Sequence, residues 1–214
     1  MVHCCNYEKI RLGLVEVGKI CIDLDNTIAI YDDVIVQICK DLNIYLPPEI
    51  KRKKGAIANY LRAEGRNDLW TKIQGLCYGP YMHKAKVAKN FRKFVSLLVN
   101  SNYDLVLVSH KTKTPASGEK FNLHEAAENW IDKNLKNVFK EIFFEMSFKK
   151  KIQRINSLNP EFVIDDLPEV LAKIDLEISR KILIFSNHLD KEYSSCKDWS
   201  SLTKFIIGDT HAEN

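Results

Sequence analysis

The residues in this sequence that could do chemistry fall in three places, and the first holds two carboxylates. Residues 19–28 read Lys-Ile-Cys-Ile-Asp-Leu-Asp-Asn-Thr-Ile. Ile20, Cys21 and Ile22 form a short apolar run, as expected of a parallel strand buried on both faces, and the polarity breaks abruptly at Asp23. Side chains two apart on an extended chain point the same way, so Asp23 and Asp25 are expected on one side of the strand's carboxyl end, where open parallel sheets bind ligands. Paired carboxylates suit a hard cation such as Mg²⁺, which takes oxygen ligands and bridges to substrate phosphates. An Asp can also attack phosphorus and form an aspartyl-phosphate, and a second carboxylate beside it can give a proton to the leaving oxygen and later take one from water. Taken alone, an Asp-x-Asp after a strand is read more readily as an acidic turn.

Two further places repeat the pattern. Residues 104–109 read Asp-Leu-Val-Leu-Val-Ser, an apolar strand ending at Ser109, and residues 162–166 read Phe-Val-Ile-Asp-Asp, an apolar strand ending at Asp165 and Asp166. Between them Lys149, Lys150 and Lys151 open a helix over 148–158, where cations gain nothing from the macrodipole. Their placement points instead to neutralising a nucleophile and a transferring phosphoryl group. A helix sends three consecutive side chains in directions about 100° apart. Ile152, Ile155 and Leu158 define the buried stripe, and Lys151 lies close to it, with Lys150 pointing further away and Lys149 as the second candidate. Beyond Ser109, the segment 109–115 is rich in donors; His110 is a candidate phosphate contact, with an ordinary polar loop as the other reading of His110 and Lys111.

The elements that must position these residues alternate between strands and helices. Helical spacing recurs at 84–98, 123–135, 148–158 and 168–174, with strands at 142–144 and 181–185, a helix at 199–202 and a last strand at 204–207; residues 10–17 could add an edge strand. This alternation implies an α/β fold, a Rossmann-like parallel sheet with helices on both faces and right-handed crossovers. Residues 31–83 instead carry short helical segments around 34–42, 57–61 and 69–76, punctuated by Pro47-Pro48, Gly55, Gly65 and Gly79-Pro80. They read as a small α-helical insertion, leaving 1–30 and 84–214 as the core.

Composition agrees with a globular enzyme: 214 residues, 45% hydrophobic and 28% charged, with no low-complexity tract. A net charge of +4 and the lack of a stripe of cations interleaved with aromatics give no support for a nucleic-acid partner. The six cysteines include no Cys-x-x-Cys pair and one lies in the expected core strand, which favours reduced thiols; with no long apolar segment near the start, a cytoplasmic location and no membrane partner are expected. His124-Glu125 has no second histidine at zinc-helix spacing, so no zinc site is expected.

In the order and type of these motifs the chain resembles the haloacid-dehalogenase-like hydrolase superfamily, over about residues 19–207. The first motif of that family, Asp-x-Asp-x-Thr, matches Asp23-Leu24-Asp25-Asn26-Thr27; the second, an apolar strand ending in Ser or Thr, matches Ser109; the third is a lysine; the fourth is an acidic pair after an apolar strand, here Asp165-Asp166. The resemblance implies that Asp23 is the nucleophile and a metal ligand, that Asp25 is the general acid/base and lends the metal its backbone carbonyl, that Ser109 and Lys151 bind phosphate, and that Asp166 ligates Mg²⁺ with Asp165 supporting it. Dehalogenases of the family lack the second Asp, so Asp25 implies phosphate chemistry. Asn26 stands where many members have Gly. The insertion at 31–83 resembles the caps that close over small substrates in this family. The implied activity is a Mg²⁺-dependent phosphomonoester hydrolase acting on a small phosphorylated metabolite, with a phosphomutase or a catalytically silent binding domain as alternatives. Selectivity is expected from the cap, where Arg62, Arg66, Trp70, Lys72, Tyr78 and Tyr81 combine aromatic and cationic groups.

Overall fold

A computed structural model describes residues 17–98, 101–186 and 190–208. Eight strands are present among them: β1 (Gly18–Ile22), β2 (Ala29–Ile30), β3 (Lys86–Val87), β4 (Tyr103–His110), β5 (Glu141–Glu145), β6 (Phe162–Asp165), β7 (Lys181–Ile184) and β8 (Ser194–Cys196). Six of them form one sheet in the order β5-β4-β1-β6-β7-β8, and every pairing within it is parallel. Eight helices connect the strands: α1 (Asp32–Asp41), α2 (Lys54–Ala63), α3 (Asn67–Tyr78), α4 (Phe91–Leu98), α5 (Leu123–Leu135), α6 (Phe148–Leu158), α7 (Pro168–Leu171) and α8 (Trp199–Ile207).

The continuous apolar runs of the central strands follow from burial on both faces. Side chains alternate across a strand, and Ile20, Ile22, Leu105, Leu107, Ile164 and Ile182 join one buried cluster, whereas Cys21, Val106, Val108, Val163 and Leu183 join a second. The second cluster is covered by Ile155 of α6 and by Val170 and Leu171 of α7. The first is larger and runs without interruption from the sheet into Ile57, Leu61, Trp70 and Ile73 of α2 and α3, so the helical insertion shares the core of the sheet.

The insertion leaves and rejoins the rest of the chain through a two-stranded stem. β2 and β3 pair antiparallel, Ala29 with Val87 and Ile30 with Lys86, bracketing α1 to α3. This stem corrects one sequence reading: the helix expected over 84–98 begins only at Phe91, because Lys86 and Val87 are committed to β3. A second correction lies at the other end. Residues 204–207, expected as a strand, continue α8, which starts at a capping box formed by Asp198 and Ser201; three consecutive apolar residues, Phe205 to Ile207, have no period of their own, and the cap decides. The edge strand β8 is short and polar, Ser-Ser-Cys, and gives no hydrophobic signal. The helix expected over 168–174 closes after one turn at Leu171. Of the edge strand considered over 10–17, only Val17 falls among the described residues, exposed and just before β1. The four described cysteines, Cys21, Cys39, Cys77 and Cys196, are buried free thiols.

Two backbone details fix the geometry around β1. Asn26 has φ 62°, the left-handed conformation that Gly adopts freely and that Asn tolerates best among other residues, so Asn can stand where a glycine would serve. The turn is closed by the Leu24 carbonyl, which accepts from the amides of Ile28 at 3.0 Å and Ala29 at 2.9 Å. In α3, a Cβ on Gly75 would lie 2.9 Å from the Cβ of Pro115. The missing side chain thus lets α3 approach the loop beyond β4.

Candidate active site

The carboxyl ends of β1, β4 and β6 converge as parallel neighbours, and this brings together Asp23, Ser109 and the Asp165–Asp166 pair from sequence positions more than fifty residues apart. Lys151 completes the group from the first turn of α6. Ser147 caps that helix by accepting from the Lys150 amide, and the start it sets turns Lys149 and Lys150 to the surface and Lys151 inward. Lys151 is 2% exposed, and its Nζ donates to Asp23 Oδ1 at 2.7 Å and to Asp165 Oδ2 at 2.6 Å. Burial alone would depress its pKa, but the charges of Asp165 and Asp23 overcome this and hold it above the usual lysine value. Asp165 is further pinned by the Leu167 amide, which donates to Oδ1 at 3.0 Å.

Asp166 is held far less firmly. Its one hydrogen-bonding neighbour among the described residues is the Thr27 hydroxyl at 3.5 Å, and burial with the nearby charges of Asp23 and Asp165 pushes its pKa up. Asp23, Asp165 and Asp166 can each present an oxygen within 4.8 Å of the others. Lys151 bonds two of these carboxylates, and the third, Asp166, in no ion pair among the described residues, faces the cavity. Such a hard-oxygen set, short of positive charge, fits a divalent cation.

The second carboxylate of the first motif has separate partners. Asp25 Oδ2 accepts from Lys111 Nζ at 2.8 Å and Oδ1 from the Tyr31 hydroxyl at 2.6 Å. Burial acts to raise its pKa, but the Lys111 charge and these two hydrogen bonds outweigh it and hold the carboxyl below its usual range. Lys111 itself is 3% exposed. Its amide donates to the Glu145 carbonyl at 2.9 Å, and its carbonyl accepts from His124 Nε2 at 2.8 Å. His124, the histidine without a zinc partner, therefore anchors the backbone behind Lys111. Sequence reasoning weighed Lys111 evenly between a substrate contact and an ordinary polar loop, and missed Tyr31 altogether, because a tyrosine at the start of an apolar-periodic stretch looks like core.

Among the other expected site residues, Ser109 is buried and its Oγ has no hydrogen-bond partner. His110 is exposed and lines the cavity, with its pKa lowered by burial and by the charge of Lys151. The cavity has a volume of about 1190 Å³ and lies between the sheet edge and the helical insertion. Arg62, Trp70 and Tyr78 line it; Tyr81, Arg66 and Lys72 do not. Tyr81 instead donates to Asp41 at 2.7 Å on the outer surface. Lys54 was not singled out individually in sequence, yet it enters the cavity and feels the charges of Asp166 and Asp25. Among the described residues no helix is long and apolar enough to cross a membrane.

No family model matches the sequence and no curated protein matches it. Solved structures do. YfnB from Bacillus subtilis, named as a HAD-hydrolase and solved bound to magnesium, aligns over 90% of this chain and 99% of its own with a TM-score of 0.59 at 12% identity. A predicted phosphatase from Clostridium acetobutylicum aligns over 89% and 98% with a TM-score of 0.54 at 16% identity. A HAD family hydrolase from Salmonella enterica serovar Typhi aligns over 97% and 80%, again with a TM-score of 0.54, at 12% identity. Across almost its whole length, then, this chain has the fold of the haloacid-dehalogenase-like hydrolases.

Proposed function

We propose that the protein is a Mg²⁺-dependent phosphomonoester hydrolase acting on a small phosphorylated metabolite, with residues 31–83 as a helical cap over a core of 1–30 and 84–214. The observation that carries this reading is the sharing of Lys151 by Asp23 and Asp165, with Asp166 close by and in no ion pair among the described residues. Asp23, Asp166 and the backbone carbonyl of Asp25 would hold the ion, and when bound it offsets the repulsion between a carboxylate and a phosphate. Lys151, by donating to Asp23 Oδ1, orients that carboxylate for attack on phosphorus. Ser109, whose buried hydroxyl lacks a protein partner, and His110, together with Lys151, supply donors to the phosphate oxygens.

Attack by Asp23 forms the aspartyl-phosphate as the bond to the leaving oxygen breaks, and Asp25 gives that oxygen a proton. Lys111 and Tyr31 hold Asp25 ionised in the free protein; for this step Asp25 takes up a proton from solvent as the substrate enters and its phosphate draws on Lys111. Asp25 then takes a proton from water, which attacks the aspartyl-phosphate, releases inorganic phosphate and restores Asp23. Support for hydrolase chemistry also comes from the structural neighbours, which are HAD-type hydrolases and predicted phosphatases.

The test is a screen of phosphorylated sugars, nucleotides and sugar acids for release of inorganic phosphate, with Mg²⁺ and with a chelator. Turnover should need the metal, and Asp23→Asn should lower it by at least about a thousandfold, as loss of a nucleophile does in covalent mechanisms. Asp23→Asn protein with near-native turnover would rule out the aspartyl-phosphate route.

A further inference from the structure

The wall of the cavity opposite the carboxylates is a ladder of two helix faces. Lys54, Ala58 and Arg62 of α2 line the cavity, as do Trp70, Gln74 and Tyr78 of α3. Each set is spaced by four residues and so forms one helical face. The faces are matched rung by rung: Lys54 Nζ lies 5.5 Å from the centre of the Tyr78 ring, and the Arg62 guanidinium lies 5.9 Å from the centre of the Trp70 ring. Ala58 and Gln74 sit between, leaving room at the middle of the wall.

The two ends of this ladder differ in what they face. Lys54 feels Asp166 and Asp25 and belongs to the phosphate end. Arg62, two helical turns on, is roughly 12 Å further along α2. It is exposed, and neither it nor Lys54 has an ion-pair partner among the described residues. Beside Arg62, the Trp70 indole Nε1 is buried and lacks a hydrogen-bond partner, although the ring lines the cavity. By contrast Lys53, the other cation at the start of α2, is committed to Asp32 at 2.7 Å. A cation and an unsatisfied donor thus mark the far end of a cavity whose near end holds the carboxylates.

Resting on the reading of the site as a phosphomonoesterase, we propose that its substrate carries a second anionic group at the end remote from the reacting phosphate, a carboxylate or a second phosphoryl group, bound by Arg62 at the Trp70 rung. A guanidinium offers paired N–H donors to either group. A substrate with a neutral far end leaves the Arg62 guanidinium without a counter-charge.

The inference is tested by binding, so that it stands or falls independently of turnover. In Asp23→Asn protein with Mg²⁺, calorimetry compares a hexose 6-phosphate with a hexose 1,6-bisphosphate and with 6-phosphogluconate; the last two place a phosphate or a carboxylate at the far end. Tighter binding of at least one two-ended ligand, on the order of ten- to a hundredfold, is expected from a charge-assisted contact, and which one wins identifies the second group. Adding Arg62→Ala should bring the ratio of affinities to within about twofold of unity, and Arg62→Lys should restore part of it. Equal affinity for all three ligands, or a ratio that survives Arg62→Ala, overturns the proposal. If the ratio behaves as expected and no compound is hydrolysed by the unmodified protein, the hydrolase reading fails and the two-anion site stands.

Discussion

Two buried lysines hold the carboxylates of this site, and they do so differently. Lys151 bridges two carboxylates from neighbouring strands, Asp23 after β1 and Asp165 in β6, at 2.7 and 2.6 Å. Lys111 holds the single carboxylate of Asp25 at 2.8 Å and lies 4.7 Å from the centre of the Tyr78 ring in α3. The first lysine therefore ties sheet to sheet, and the second ties sheet to insertion. Lys151 fixes the end of the site that holds Asp23, the proposed nucleophile; Lys111 couples Asp25, the proposed proton-handling carboxylate, to the helical wall of the cavity.

This comparison breaks most visibly at Lys151. Replacing it with Met keeps the unbranched apolar stem but leaves Asp23 and Asp165 buried without their shared cation, and removal of one member of a buried ion pair typically costs about 3–5 kcal/mol. Lys151→Met should lower the thermal midpoint by many degrees and reduce turnover by about a hundredfold or more, whereas Lys150→Ala, at an exposed position, should do neither. Chemical denaturation and initial rates on the same preparations decide. Equal losses in the two variants would remove Lys151 from its assigned place.

Lys111→Met sharpens the contrast. Asp25 keeps the Tyr31 hydroxyl and only one charge-assisted contact is lost, so the expected destabilisation is smaller, about 1–3 kcal/mol. Its mark should be kinetic: Lys111 holds the Asp25 carboxyl low, so its loss favours the protonated form that serves the leaving group and disfavours the ionised form that takes a proton from water, and a loss of about tenfold in kcat should fall on breakdown of the aspartyl-phosphate, alike for all leaving groups. A loss that grows as the leaving group becomes poorer would mean that Lys111 acts by positioning Asp25 rather than by holding it ionised.

The two lysines also differ in how visible they were in sequence. Lys151 stands three residues into a helix whose buried stripe could be phased from Ile152 and Ile155, so helical geometry singled it out from Lys149 and Lys150. Lys111 lies one residue beyond a strand, where no period assigns a direction; its inward turn depends on the Glu145 carbonyl and His124, contacts across elements that no local pattern encodes. The same division runs through the fold. The helices Leu123–Leu135 and Phe148–Leu158 were legible at both ends because a long apolar stripe met a capping residue, Asn122 and Ser147 respectively. The stem strands β2 and β3, two residues each, were not, since they exist only by pairing with each other. In the site, the motif carboxylates could be found by their position after apolar strands, whereas Tyr31 and Lys54 enter through the placement of the insertion.

Tyr31 gives the smallest effect and the finest test of the comparison. Its ring is fully buried and meets Tyr78 edge-on, with centroids 5.2 Å apart, and its hydroxyl donates to Asp25 at 2.6 Å. Tyr31→Phe keeps the ring contact and deletes only the hydroxyl, leaving Asp25 with its lysine. Because the remaining partner carries the full charge, the stability loss should be about 1 kcal/mol, and kcat should fall by less than in Lys111→Met. The double variant provides the coupling: if both groups act through Asp25, the combined loss should depart from the sum of the single losses by about 0.5 kcal/mol or more, as for residues sharing one partner. Strict additivity, or a larger kinetic loss from Tyr31→Phe than from Lys111→Met, would mean that the hydroxyl is the main holder of Asp25 and that Lys111 serves the insertion wall alone.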